Sequence, residues 1–252
     1  AGSDGGAASP IAGGVWVRER FTIHRPLDRD DPFTVNGANT GRHVHKGRRY
    51  GTTTSTTTDS SGRLVATNLT TGLLAYRVEE GLADGVEGLP VDATPAPIAD
   101  VNAAATNPCG DALRAATVGT KLGGDPVVVS LSMMAARDTS SPDNPIHSDL
   151  DAARDAGLDR PIAGGSHVQA FALEPILAEF GQDVLFHGAH LDTRWKAPTK
   201  ADTTIVPTAT ITGADSDRVV LDIEVTLADE DNKQAMIGTV EIPVPPRADS
   251  HS

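Results

Sequence analysis

The sequence predicts an α+β fold in which an antiparallel sheet wraps around one long helix. Three observations carry this reading. Threonine, valine and isoleucine supply much of the apolar patterning while aromatic residues are only 4% of the chain, a bias toward pleated, half-buried surfaces. The segment Ser166 to Phe180 places Val168, Phe171, Ala172, Ile176, Leu177 and Phe180 near helical spacing and meets a stop signal at Gly181. Four segments with strand patterning then follow: Val184 to Trp195, Thr203 to Thr212, Arg218 to Ala228 and Ala235 to Val244.

In chain order, residues 1–14 are small and flexible in composition and are expected to form a flexible leader. Val15, Val17, Phe21 and Ile23 mark a first strand, closed by the turn at Arg25-Pro26-Leu27 and Asp28 to Pro32. A second strand starts at Phe33. His43 to Asp59, with six threonines, reads as one long strand with a hydroxylated face. The Ser60-Ser61-Gly62 turn returns the chain into Arg63 to Arg77, whose imperfect alternation predicts a bulge near Thr70 to Gly72. Residues 15–80 thus form an N-terminal partial repeat, and 81–124, rich in Ala, Pro, Gly, Asp and Asn, form a linker with a weak helical run near Asp111 to Thr117. Residues 125–245 make the C-terminal domain. It opens on Val127 to Met134, patterned as a buried strand, and contains the long helix, in which Pro175 is expected to cause a mild kink.

Between that strand and the helix lies the most polar punctuation of the chain, Pro142-Asp143-Asn144-Pro145-Ile146-His147-Ser148-Asp149, followed by Arg160-Pro161-Ile162-Ala163-Gly164-Gly165. A histidine, an amide and carboxylates held between prolines describe a loop with a defined shape, not a core segment. A helix start next to it presents unpaired N–H groups that stabilise a developing oxyanion, and an imidazole moves a proton near neutral pH. Together they suit thioester chemistry.

The same stretch resembles the MaoC-like hydratase family, the R-specific enoyl-CoA hydratases and acyl dehydratases, whose loop reads D-x-N-P-[LI]-H followed by R-P-I-x-x-G. Asn144, Pro145, Ile146, His147, Arg160, Pro161, Ile162 and Gly165 match position by position. The resemblance implies the hot-dog fold over roughly Asp125 to Val244. It assigns Asp143, Asn144, His147 and Gly165 to the catalytic site, with His147 and an aspartate as acid and base and the Gly165 N–H as oxyanion donor. In the family pattern the acid lies five residues before the histidine, where this chain has Pro142, with Asp143 next. Hydration or dehydration of an enoyl or 3-hydroxyacyl thioester is the leading reading; thioester hydrolysis, a biosynthetic cyclisation, or a non-catalytic thioester-binding subunit are the alternatives. The substrate is carried by coenzyme A or a carrier protein, and no cofactor or metal is required.

Arg25-Pro26-Leu27 with Asp30 parallels Ala197-Pro198-Thr199 with Asp202, each after one strand and before further strands. The N-terminal half therefore reads as a degenerate hot-dog repeat without its own central helix, and the whole as a double hot dog. Hot-dog domains pair side by side, so a homodimer is expected, with internal pairing of the two halves as the alternative.

Other ligand-type residues have plainer readings. Asp149 is placed to cap a short helix from Leu150; Asp138 is a weaker substitute acid; His167 lies one turn from Phe171 as a packed or pocket-lining residue. His43 and His45 share an exposed strand face, and strand alternation turns His187 away from His190 and Asp192, so neither set reads as a metal site. A net charge of −13 argues against nucleic-acid binding, although Arg194, Lys196 and Lys200 suit the phosphates of a thioester carrier. One cysteine, Cys109, excludes an intrachain disulfide framework. With no membrane-length apolar run, no membrane association and a cytoplasmic location are expected.

Overall fold

The computed structural model describes residues 15–26, 30–74, 78–88, 107–138 and 144–246. The N-terminal half contributes β1 (Val15–Ile23), β2 (Thr34–His45), β3 (Arg48–Thr58), β4 (Leu64–Leu73) and β5 (Gly85–Gly88). The C-terminal half follows with α1 (Gly110–Arg114), β6 (Lys121–Gly123), β7 (Val127–Val129), α2 (Leu131–Asp138), α3 (Leu150–Asp155), α4 (Gly165–Phe180), β8 (Ala189–Trp195), β9 (Thr203–Ala214), β10 (Arg218–Leu227) and β11 (Lys233–Pro243). All strands join one antiparallel sheet in the order β5-β2-β3-β4-β1-β8-β11-β10-β9-β6, with β7 also on β9. The halves meet at β1 and β8, where Phe21 pairs with Leu191 and Arg18 with Arg194.

Period-two burial makes the C-terminal half a core. Ile205, Ala209 and Ile211 on β9 and Val219, Leu221, Ile223, Val225 and Leu227 on β10 are buried on one face, where Val168, Phe171, Ala172, Ile176 and Phe180 of α4 pack against them. Gly123 sits so close to α4 that a β-carbon there would lie 2.6 Å from Pro175 Cγ and 2.7 Å from Pro207 O. Ile223, 2% exposed in this layer, leaves an unfilled cavity when truncated: Ile223→Ala is expected to lower unfolding free energy by about 2–5 kcal/mol in urea titrations, and a change under about 1 kcal/mol would place the core elsewhere.

Several elements differ from the sequence expectation. His43 to Asp59 is a hairpin and not one strand: Lys46 and Gly47 turn at φ 50° and 69°, the geometry of a two-residue type I′ loop that the β-branched run conceals. The irregularity expected near Thr70 to Gly72 is present, but the extra residue belongs to β1, where the register shifts between Trp16 and Arg18 opposite Gly72 and Thr71. The buried strand expected through Met134 stops at Val129. Ser130 caps α2 instead, its Oγ accepting from Met133 N at 3.2 Å, ahead of a run of good helix formers. Val184–Phe186 is a 3₁₀ turn, so the strand expected from Val184 begins only at Ala189, and His187 precedes it.

The described residues of the stretch 81–124 are divided between the halves. Gly85–Gly88 pairs with β2, whereas Leu113 and Leu122 are buried in the C-terminal core. Residues 1–14, the expected leader, lie outside the described residues. Among the described residues no helix is long and apolar enough to cross a membrane.

Candidate active site

The two halves of the sequence motif are held together by main-chain bonds. Pro145–His147 forms a 3₁₀ turn behind Asn144, with proline at its first position, and Pro145 O accepts from Asp149 N at 2.8 Å. Asp149 then caps α3 through Oδ1 to Ala152 N at 2.7 Å, as its position predicted. Ile146 packs with Ala153, Leu158 and Ile162 in a small buried cluster against Val15 of β1. Ile162 N donates to Ile146 O, Ala163 N to Thr199 O and Ala201 N to Pro161 O. The Arg160-Pro161-Ile162 segment is therefore a strap between the histidine loop and the chain leaving β8, and Arg160 Nη1 adds a bond to Ala201 O at 3.2 Å.

That strap orients the imidazole. His147 Nδ1 lies 2.7 Å from Ile162 O, and a carbonyl only accepts, so Nδ1 carries the proton and Nε2 of the neutral ring holds the lone pair. Asn144 Nδ2 donates toward Nε2 over 3.3 Å, a long contact.

His147, Asn144 and Gly165 line one cavity of about 410 Å³. Gly165 is the first residue of α4, behind the N-cap Gly164. The sixteen-residue helix begins here, so the positive end of its dipole lies at the cavity that the imidazole lines. Asp143, like Pro142, lies outside the described residues; Asp138 ends α2. His167 lines the cavity and stacks on Phe171 at 5.0 Å.

The N-terminal half supplies residues that sequence reasoning missed. Val15, Trp16, Arg48, Tyr50 and Leu73 line the same cavity, although that half read as a mere extension of the sheet. No local motif marks them; only the β1–β8 pairing brings them to the histidine loop. Of the three cations singled out for a carrier, Lys196 lines the cavity, Lys200 pairs with Asp159 at 3.0 Å, and Arg194 lines a separate groove on the outer sheet face.

On that outer face His190 bonds Thr22, and Asp192 is held below the ordinary carboxylate range chiefly by its hydrogen bond from Arg18. His43 stacks on Tyr50, and His45 pairs with Asp84. Among the described residues no group of His, Cys, Asp and Glu is arranged to hold a metal.

Glu19, on β1, is 4% exposed and reaches α4, where burial raises its carboxyl above the ordinary range despite hydrogen bonds with Gln169, Asn68 and Thr70. The folded state therefore holds this proton more tightly than the unfolded chain. Its stabilising effect is full below about pH 4.3 and is lost as pH rises through the raised value. Glu19→Gln removes that dependence, so the melting temperature of the variant relative to wild type is expected to rise between about pH 4 and about pH 7. A difference that stays constant would mean the carboxyl titrates as it does unfolded.

No family model and no curated protein matches the sequence. Solved structures do. One described as a MaoC-like dehydratase aligns with 96% of this chain and 78% of its own, at TM-score 0.75 and 19% identity. A conserved hypothetical protein from Mycobacterium tuberculosis, described as having a double hot-dog fold, aligns with 91% of this chain and 74% of its own at TM-score 0.62 and 19% identity. A putative oleoyl thioesterase from Lactobacillus plantarum aligns with 93% of this chain and 77% of its own at TM-score 0.55 and 13% identity. At such identities the likeness is one of fold. The chain has the hot-dog fold that the motif resemblance implied, in the double form expected from the internal parallel between its halves, an architecture it shares with solved structures described as MaoC-like dehydratases.

Proposed function

We propose that this protein is a hydratase or dehydratase of enoyl or 3-hydroxyacyl thioesters. One observation carries the reading: a histidine whose Nδ1–H is fixed on Ile162 O, and the start of a long helix at Gly165, line one cavity. In the hydration direction, His147 Nε2 takes a proton from water as its oxygen bonds to C3 of the enoyl group. The electron pair of the double bond moves to the thioester, whose enolate oxygen is held by the Gly165 N–H at the positive end of α4. The proton taken up from water is returned to C2 by the pair of His147 and Asp143, which completes the addition and restores both residues, while Asn144 Nδ2 lies 3.3 Å from the imidazole Nε2. Lys196 at the cavity wall suits a phosphate of the carrier.

Loss of enoyl absorbance across short, medium and branched enoyl-CoA substrates tests the assignment. Folded protein that leaves every substrate unchanged would refute it. A second reading has its own support: Pro142 stands where the family's acid lies, and a base with an oxyanion donor also serves thioester hydrolysis. Release of free thiol from acyl-CoA without hydration would establish that alternative, and binding without turnover would identify a non-catalytic subunit. The proposed homodimer is tested by light scattering at micromolar protein, where a mass of 26.1 kDa at every concentration would exclude it.

A further inference from the structure

The geometry points to Trp16 as the residue that limits the size of the acyl group admitted to this cavity. This rests on the thioester reading above and adds a specificity element from the other half of the chain. Trp16 stands at the β1 irregularity, and Val17 is the extra residue that sets its orientation apart from the regular alternation beyond Arg18. Its side chain lies directly on the start of α4. A β-carbon built on Gly165 would be 2.9 Å from Trp16 Cβ, 3.0 Å from Cε3 and 3.2 Å from Cδ2. The absence of a side chain at residue 165 is thus what lets the indole close over the helix start.

On its other side Trp16 meets Trp195 edge-on, with ring centroids 5.7 Å apart and planes at 74°. This is a favourable aromatic arrangement and adds to the area the rings bury. The pair joins β1 to β8, the strands through which the halves meet, so the wall is anchored on both sides of the junction. Trp16 nevertheless keeps 37% of its surface exposed, and both rings line the cavity. A thioester carbonyl that reaches the Gly165 N–H must lie beside this indole. The acyl chain beyond the carbonyl then runs against a flat, rigid wall. Short chains fit within the remaining space; long ones require the ring to be removed.

These are the only two tryptophans in the chain, so intrinsic fluorescence reports directly on this cavity. Saturated acyl-CoA esters occupy such a site without reacting, which separates binding from turnover. We would titrate wild type, Trp16→Ala and Trp16→Leu with butyryl-CoA and dodecanoyl-CoA, following emission from Trp195 in the variants and checking their folding by circular dichroism. The expected result is quenching of wild type by butyryl-CoA at concentrations where dodecanoyl-CoA has no effect. Trp16→Ala should bind dodecanoyl-CoA at least about ten-fold more tightly than wild type, while butyryl-CoA changes by less than about three-fold, with Trp16→Leu intermediate. If both ligands weaken together in the variants, or if chain-length preference is the same in all three proteins, Trp16 is only a structural contact and the inference is overturned. Equal quenching of wild type by both esters overturns it too but leaves the thioester reading intact. Absence of quenching by either ester in every protein overturns both.

Discussion

Replacing His147 by glutamine is expected to lower enoyl-thioester hydration by about 10²–10⁴-fold while circular dichroism and the melting temperature stay near wild type. The size follows from what the ring does and what glutamine retains. Glutamine puts its amide nitrogen near the place of Nε2 and not of Nδ1, so it gives up the bond to Ile162 O at 2.7 Å but leaves the main-chain bond from Ile162 N to Ile146 O that holds the strap. It has no group that accepts a proton near neutral pH, so the loss falls on kcat more than on KM. Steady-state kinetics on the best substrate of the enoyl-CoA panel decide the matter. A variant that retains more than about one-tenth of the rate would remove His147 from the chemistry, since general-base catalysis is worth more than that.

A second large effect is expected from one methyl group. Gly165→Ala puts a β-carbon 2.9 Å from Trp16 Cβ and 3.0 Å from its ring, closer than carbon atoms pack, so either the indole or the first turn of α4 must shift. The backbone N–H survives, but a donor moved by roughly 1 Å from the oxyanion costs about 10²-fold in kcat/KM. Stability should fall far less, because Trp16 is partly exposed and lies outside the buried core. Near-normal kcat/KM in Gly165→Ala would show that the thioester carbonyl binds away from the helix start. Combined with the His147 result, this separates the proton-transfer part of the site from the oxyanion part.

The elements legible in the sequence share a physical trait: their signal is local. The α4 pattern ends at Gly181, where φ is 104° and the helix indeed stops, and β9 and β10 keep period-two burial within a few residues of the expected bounds, while β11 departs from it at the adjacent buried pair Ala235 and Met236. The Asn144-Pro145-Ile146-His147 and Arg160-Pro161-Ile162 segments were equally legible, because prolines and a buried isoleucine specify loop shape over a few residues. Where local signals compete, the reading failed. Six threonines over His43 to Asp59 hid the Lys46-Gly47 turn, and the valines of β7 suggested a strand running on through residues that Ser130 instead caps as a helix.

By itself, then, the amino-acid sequence determined the α+β class, the central helix with its following strands, and a loop in which a histidine precedes a glycine-started helix. Tertiary structure alone decided that this loop faces the N-terminal half. Hydrogen bonds between β1 and β8 join residues more than 160 positions apart, such as Phe21 and Leu191, and no short-range pattern encodes such a pairing. Through it Trp16, Arg48 and Tyr50 reach the cavity that His147 lines. The imidazole's proton was likewise invisible in the sequence: it is placed on Nδ1 only because the strap presents Ile162 O at 2.7 Å, a contact across 15 residues that depends on the fold of both segments.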